Sequence, residues 1–291
     1  MEFLPAYWIT PLVMTGLTFT LASLLVWASQ RWYVPDDPRM AHVRSLLPGI
    51  NCGGCGYPGC GAFAAALVAG EVPPSRCGVA SSTEHARLAA YLGIAAGSAV
   101  RQVARLACAG GDNVARRHAR YQGTPSCAAA ALVAGGGKGC FWGCLGLADC
   151  YLSCDFDAIE MNAQRLPVVD EARCTACGAC VEACPKELFS LQPIDQRLWV
   201  ACRSELAGDE ILAECQVACT ACERCVADAD GALEMRHNLP LIVAPKRVHD
   251  RTPTLRCPTG AIVWVDPQRG PVKGPAAVKV VRRSPLPDAP T

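Results

Sequence analysis

The chain has 291 residues, 27 basic against 26 acidic side chains, 6% aromatic residues and 20 cysteines. That charge balance leaves no global field for gripping nucleic acid or an anionic membrane surface, and so few aromatics argue against a large aromatic-filled core. The cysteines must do much of the holding, either as disulfides in an oxidising compartment or as metal ligands in a reducing one.

The N-terminus decides between these. No charged residue occurs from Ile9 to Ala28, and a helix of that length spans about 30 Å, roughly one hydrocarbon core. Trp8 stands at one end and Trp27, Trp32 and Tyr33 at the other, where amphipathic rings favour the headgroup layer. Residues 1–8 hold Glu2 and no Lys or Arg, whereas Arg31, Arg39 and Arg44 follow the span. The positive-inside rule then places the rest of the chain in the cytoplasm. Neither a basic start nor an evident small-residue cleavage site marks a removed signal peptide. Residues 1–30 therefore read as a retained anchor, and the cysteines as metal ligands in a reducing compartment.

Residues 31–49 read as a linker with a short helix, interrupted by prolines. Residues 50–95 form the first cysteine domain, with an alanine-rich helix over Ala62–Ala69. Ser81 and Glu84 have capping-box spacing and open a second helix running to about Ala95. Residues 96–139 connect, and the run ARRHAR at 115–120 reads as a solvated helix face. Two cysteine groups fill 140–195, a reduced module fills 196–265, and the Pro-rich stretch 266–291 reads as a disordered tail. Short apolar runs such as LPVVD and LPLIVAP read as strands flanking cluster loops. The fold class is small, metal-stabilised α+β.

Cys174, Cys177, Cys180 and Cys184, with Pro185 following, carry the sharpest signal. Three thiolates two residues apart can hold three corners of a cubane, and the fourth ligates the other cluster of a pair. Zinc would leave the third close cysteine unexplained. The neighbouring group Cys140, Cys144, Cys150 and Cys154 repeats the layout with looser spacing. Pairing the groups assigns Cys140, Cys144, Cys150 and Cys184 to one cluster, and Cys174, Cys177, Cys180 and Cys154 to the other. Cys52, Cys55, Cys60 and Cys77 supply a further quartet, in which Gly53, Gly54, Gly56 and Gly59 allow close backbone approach; the competing reading is a zinc knuckle.

Cys219, Cys222 and Cys225 begin another such group, but the expected fourth position is Ala229. Counting back from Cys257, the second triplet would fall at Arg247, Asp250 and Pro253, none of them a ligand. The two losses agree, since an absent cluster needs neither its triplet nor the crossing cysteine. Cys219, Cys222, Cys225 and Cys257 remain for one cubane. The expectation is about four [4Fe–4S] clusters, or three if the last module is empty. Cys108, Cys127, Cys202 and Cys215 are left over and read as buried small hydrophobes, with Cys215 near enough to the Cys219 loop to substitute as a ligand. The histidines show no acid–base pattern, GGGKGC at 135–140 reads as a cluster-loop approach, and no dinucleotide fingerprint occurs. No residue is assigned a catalytic role.

An N-terminal span followed by NCGGCGYPGC, GGKGCFWGCLGLADC and CTACGACVEACP resembles RnfB, the B subunit of the Rnf ion-translocating electron transport complex. The resemblance covers roughly residues 5–265. It implies a single-span subunit of the bacterial cytoplasmic membrane within an ion-translocating oxidoreductase, working with the other Rnf subunits and receiving electrons from soluble ferredoxin. It also implies a four-iron domain at Cys52–Cys77 and ferredoxin-like clusters between Cys140 and Cys184. The halved last module departs from the longer members. A membrane-tethered polyferredoxin serving another oxidoreductase, or a redox-sensing iron–sulfur protein, are the alternatives.

Overall fold

A computed structural model describes residues 4–32, 37–98 and 100–279. Helix α1 (Leu4–Arg31) turns its apolar side chains outward, and its candidate membrane span, Pro11–Arg31, is 0% buried against the rest of the chain. Thr15, Thr18 and Thr20 donate their hydroxyls to carbonyls one turn back, so the helix carries its polar groups internally satisfied. It is the one helix among the described residues long and apolar enough to cross a membrane. Trp27 and Trp32 pack edge to face at one end; Tyr33 and the side chain of Trp8 lie outside the described residues.

The next unit is helical. Asp37 accepts the Arg39 amide to cap α2 (Pro38–Leu46), and Asn51 accepts the Cys60 amide to start α3 (Cys60–Val68). The capping box at Ser81 and Glu84 is present on α4 (Ser82–Leu92). That helix stops short of Ala95 because Gly93 turns left-handed at φ 67°. Val43, Phe63, Leu67, Cys77 and Leu88 are buried together in the core of this unit, with Cys55 and Cys60 packed against it.

From residue 100 onward a helical turn followed by two short strands recurs. The first unit is α6 (Asp149–Leu152) with β2 (Ile159–Met161) and β3 (Pro167–Val169), preceded by β1 (Gln102–Leu106) and α5 (Cys127–Ala131). The second is α7 (Ala179–Glu182) with β4 (Phe189–Pro193) and β5 (Leu198–Val200). After α8 (Gly208–Glu214) come α9 (Arg224–Ala227) with β6 (Leu233–Arg236) and β7 (Leu239–Ile242), then α10 (Thr252–Leu255) with β8 (Ile262–Asp266) and β9 (Gly270–Lys273). All pairings are antiparallel: β1 with β4, β2 with β3, β6 with β7, and a three-stranded sheet in the order β5–β8–β9.

Three expectations are corrected. Residues 102–106 are not part of a connector but an edge strand of the ferredoxin-like unit, with Leu106 opposite Phe189. The run 115–120 is extended, not helical: Ala115 bridges to Cys215 and Arg117 to Lys138, Arg117 pairs with Asp112 at 2.7 Å, and His118 lies 2.7 Å from Glu214. Disorder from 266 onward fails for β9, because Pro271 and Val272 extend the sheet beside Val265 and Trp264. Residues 280–291 of that stretch lie outside the described residues.

Candidate iron–sulfur sites

Backbone conformation sets up each cysteine loop. After Cys174 the chain turns left-handed at Ala176 and Gly178, after Cys219 at Ala221 and Glu223, and after Cys144 at Gly146 and Ala148. Positive φ at alternate residues, costly for a residue with a Cβ, turns successive amides and side chains of the loop inward. In this shared frame the first cysteine of the Cys174 loop matches Cys144 and Cys219, and the third, Cys180, matches Cys150 and Cys225. The middle position is Cys177 in one loop, Cys222 in another and Leu147 in the Cys144 loop.

Four cavities are lined by four cysteines each. Cys52, Cys55, Cys60 and Cys77 surround the first, and Cys219, Cys222, Cys225 and Cys257 another, as grouped from the sequence. Cys174, Cys177 and Cys180 share theirs with the crossing Cys154. The remaining cavity is lined by Cys144, Cys150, the crossing Cys184 and Cys127, not by Cys140. The grouping of Cys140 with that cavity is therefore corrected, and the reason lies in Leu147. The loop lacks its middle thiol, and the start of α5 supplies one. Asp149 holds α5 in place by accepting the amides of Cys127 and Ala128 at 2.9 and 3.0 Å and the Ser126 hydroxyl at 2.9 Å. The register of Leu147 against Cys177 was the signal in the sequence that a ligand had to come from elsewhere.

The donor set fits iron–sulfur ligation. All 20 cysteines are free thiols. Backbone amides point at several sulfurs: Ala158 at Cys154, Leu188 at Cys184 and Ala104 at Cys174, each at 3.4 Å. Such amide hydrogen bonds stabilise thiolates and tune cluster potentials.

Burial, reinforced by the neighbouring sulfurs of the same cavity, pushes Cys150 and Cys180 up to about 12. Burial does the same to Cys144, with the Cys108 sulfur as the next contributor. Metal-free, these thiols keep their protons at neutral pH, so loading the sites releases protons.

The Asp149 bracket yields a direct test. Asp149→Ala leaves the Cys127 and Ala128 amides without their acceptor, which costs roughly 1–3 kcal/mol. The expected result is a lowered midpoint of thermal unfolding, with the Cys144 site the first to bleach. An unchanged midpoint and bleaching order would remove Asp149 from its positioning role.

The family model described as "Putative Fe-S cluster" matches residues 47–79, and that described as "4Fe-4S binding domain" matches residues 167–189. The chain is 43% identical over 204 residues to the B subunit of the Na(+)-translocating ferredoxin:NAD(+) oxidoreductase complex of Acetobacterium woodii, covering 70% of this chain and 61% of that one. Less than two thirds of that relative's length is thus matched. It is 34% identical to the B subunit of the ion-translocating oxidoreductase complex of Methanosarcina acetivorans over 88% of this chain and 94% of that one. Against the B subunit of the proton-translocating ferredoxin:NAD(+) oxidoreductase complex of Clostridium ljungdahlii it is 34% identical, covering 86% and 89%. With iron–sulfur and ferredoxin-type domains following one apolar N-terminal helix, the chain belongs to the RnfB family, the B subunits of ion-translocating oxidoreductase complexes.

Proposed function

We propose that this chain is an electron-transfer subunit of a membrane-bound, ion-translocating oxidoreductase, relaying single electrons between a soluble ferredoxin and the other subunits of the complex. The observation that carries the reading is the arrangement of sixteen cysteines as four quartets, each lining its own cavity. When bound, [4Fe–4S] clusters supply reversible one-electron chemistry over a wide range of potentials.

The chain's own part is to hold and space the sites. Cys52, Cys55, Cys60 and Cys77 hold the first, and its loop packs directly on the next: a Cβ added at Gly54 would stand 3.0 Å from the Cys177 Cα, and one at Gly78 would stand 2.9 Å from the Thr175 carbonyl oxygen. Glycine at these positions lets the two loops touch. Cys154 and Cys184 cross between the two halves of the ferredoxin-like unit, so each half carries one thiol of the other's site. No side chain is asked to make or break a bond.

The span in α1 anchors the chain, and the arginines after it place the cysteine domains on the cytoplasmic side of the membrane. Two measurements test the reading. Anaerobically isolated protein should contain at least about 16 irons with matching sulfide and give low-potential EPR signals on reduction; zinc without sulfide would end the proposal. A chain lacking residues 1–36 should leave the membrane fraction while the full chain stays in it, and a full chain that fractionates as soluble protein would refute the anchor.

A further inference from the structure

Once Cys127 is placed in the Cys144 cavity, four cysteines remain without a site: Cys108, Cys140, Cys202 and Cys215. They come from four separate stretches of chain, yet the fold brings them together. The Ala109 amide donates to the Ala201 carbonyl, placing Cys108 beside Cys202. Arg116 donates to Glu214 and Gln216 to Val114, and Ala115 bridges to Cys215. The Gly139 amide donates to Arg116, which brings Cys140 alongside. Cys140 and Cys215 are buried in one apolar cluster with Val114, Ile211 and Val217, and Cys202 packs against it.

The sulfurs converge. A Cβ built on Gly110 would lie 3.0 Å from the Cys215 sulfur and 3.7 Å from that of Cys108, so the bare backbone of Gly110 forms the wall against which both rest. Burial raises the pKa of Cys140, Cys202 and Cys215, and in each the Cys108 sulfur raises it further; at Cys215 the sulfurs of Cys140 and Cys202 add to this. Two of the sulfurs already accept backbone amides, Cys202 from Cys219 at 3.3 Å and Cys108 from Cys144 at 3.5 Å. Lys138 is 7% exposed, and its ammonium donates to the Gly110 and Cys144 carbonyls, holding a buried positive charge beside the group. Four apolar side chains of similar size would have filled this space without amides, a cation or a glycine wall.

We propose that Cys108, Cys140, Cys202 and Cys215 hold a fifth [4Fe–4S] cluster, set between the Cys127/Cys144/Cys150/Cys184 site and the Cys219/Cys222/Cys225/Cys257 site. The two amide contacts give its position: the Cys144 amide reaches Cys108 from the site on one side, and the Cys219 amide reaches Cys202 from the site on the other. The fifth site thus fills the interval between the ferredoxin-like unit and the reduced C-terminal module. Every cysteine of the chain then belongs to a quartet. The buried Lys138 offsets part of the negative charge that four thiolates and a cluster would bring.

The inference rests on the four-site reading but is separable from it. Native mass spectrometry of the anaerobically purified full chain, with iron and sulfide analysis, should show five cubanes and about 20 irons. Cys215→Ala should lose one cubane and about 4 irons while retaining the EPR signals of the other sites. A wild-type chain with four cubanes would overturn the fifth site and leave the four-site proposal intact. So would five metal centres of which one is a zinc ion lost on Cys215→Ala. No iron at all would overturn both. The wild-type mass decides the matter even if the variant does not fold.

Discussion

Cys127→Ala should cost the protein one cubane, about 4 irons of its complement, although Cys127 lies 17 residues before the nearest other ligand of that site. The cavity it lines has three other thiols, Cys144, Cys150 and Cys184. A cubane with one iron unheld is exposed to loss of that iron and then of the whole cluster. Double variants separate this assignment from the sequence-local alternative, in which Cys140 is the fourth ligand. Cys127→Ala combined with Cys184→Ala should lose no more iron than either alone, because both act on one site. Cys140→Ala combined with Cys184→Ala should lose two cubanes' worth. The reverse pattern would show that the loop supplies its own fourth thiol and that Asp149 anchors α5 for some other purpose.

Stripping iron and sulfide should unfold most of residues 100–279, a larger effect than any single substitution. The helical turns α6, α7, α9 and α10 have four residues each, far below the length at which a helix persists alone. The strands that follow them have three to five residues, short for independent stability. What unites these pieces is apolar packing in which cysteines take core positions: Cys150, Cys174 and Cys180 with Val103 and Phe189, and Cys219 and Cys257 with Leu198 and Ile262. Where the ligands form the core, cluster binding free energy is folding free energy. After anaerobic chelation, far-UV circular dichroism should lose the strand contribution, and proteolysis should cut throughout 100–279. Residues 38–92 should hold longer, since Val43, Phe63, Leu67 and Leu88 give that unit an apolar core in which Cys77 is the one buried cysteine. A stripped chain with an unchanged cooperative transition would refute this account.

Much of the arrangement is legible in the order of residues. Spacing alone groups the quartets Cys52–Cys77 and Cys219–Cys257 and gives the crossing of Cys154 and Cys184. Each depends on ligands a few residues apart in a turn, or on a repeat whose parts can be counted off. The capping box at Ser81 and Glu84 is equally local. The errors share the opposite character. Nearness in sequence assigns Cys140, whereas Leu147 in the loop and the Asp149 bracket on α5 select Cys127. Spacing cannot group the four spare cysteines, because residues 108, 140, 202 and 215 meet only through backbone pairing between distant strands and loops. β9 escapes a sequence reading because a Pro- and Gly-containing stretch gains its order from lying beside β8.

The amino-acid sequence by itself determined an apolar span, a chain whose cysteines are spaced for cubanes, and a second ferredoxin module with half its ligands gone. These follow from periods and intervals that the chain carries wherever it folds. Which thiol completes which site was decided only by tertiary structure. A cubane's corners are filled by whichever sulfurs the backbone brings within reach. Here the hydrogen bonds of Asp149 bring Cys127 to the Cys144 cavity, and the bridge at Ala115 and the bare backbone of Gly110 bring Cys215 and Cys108 near each other.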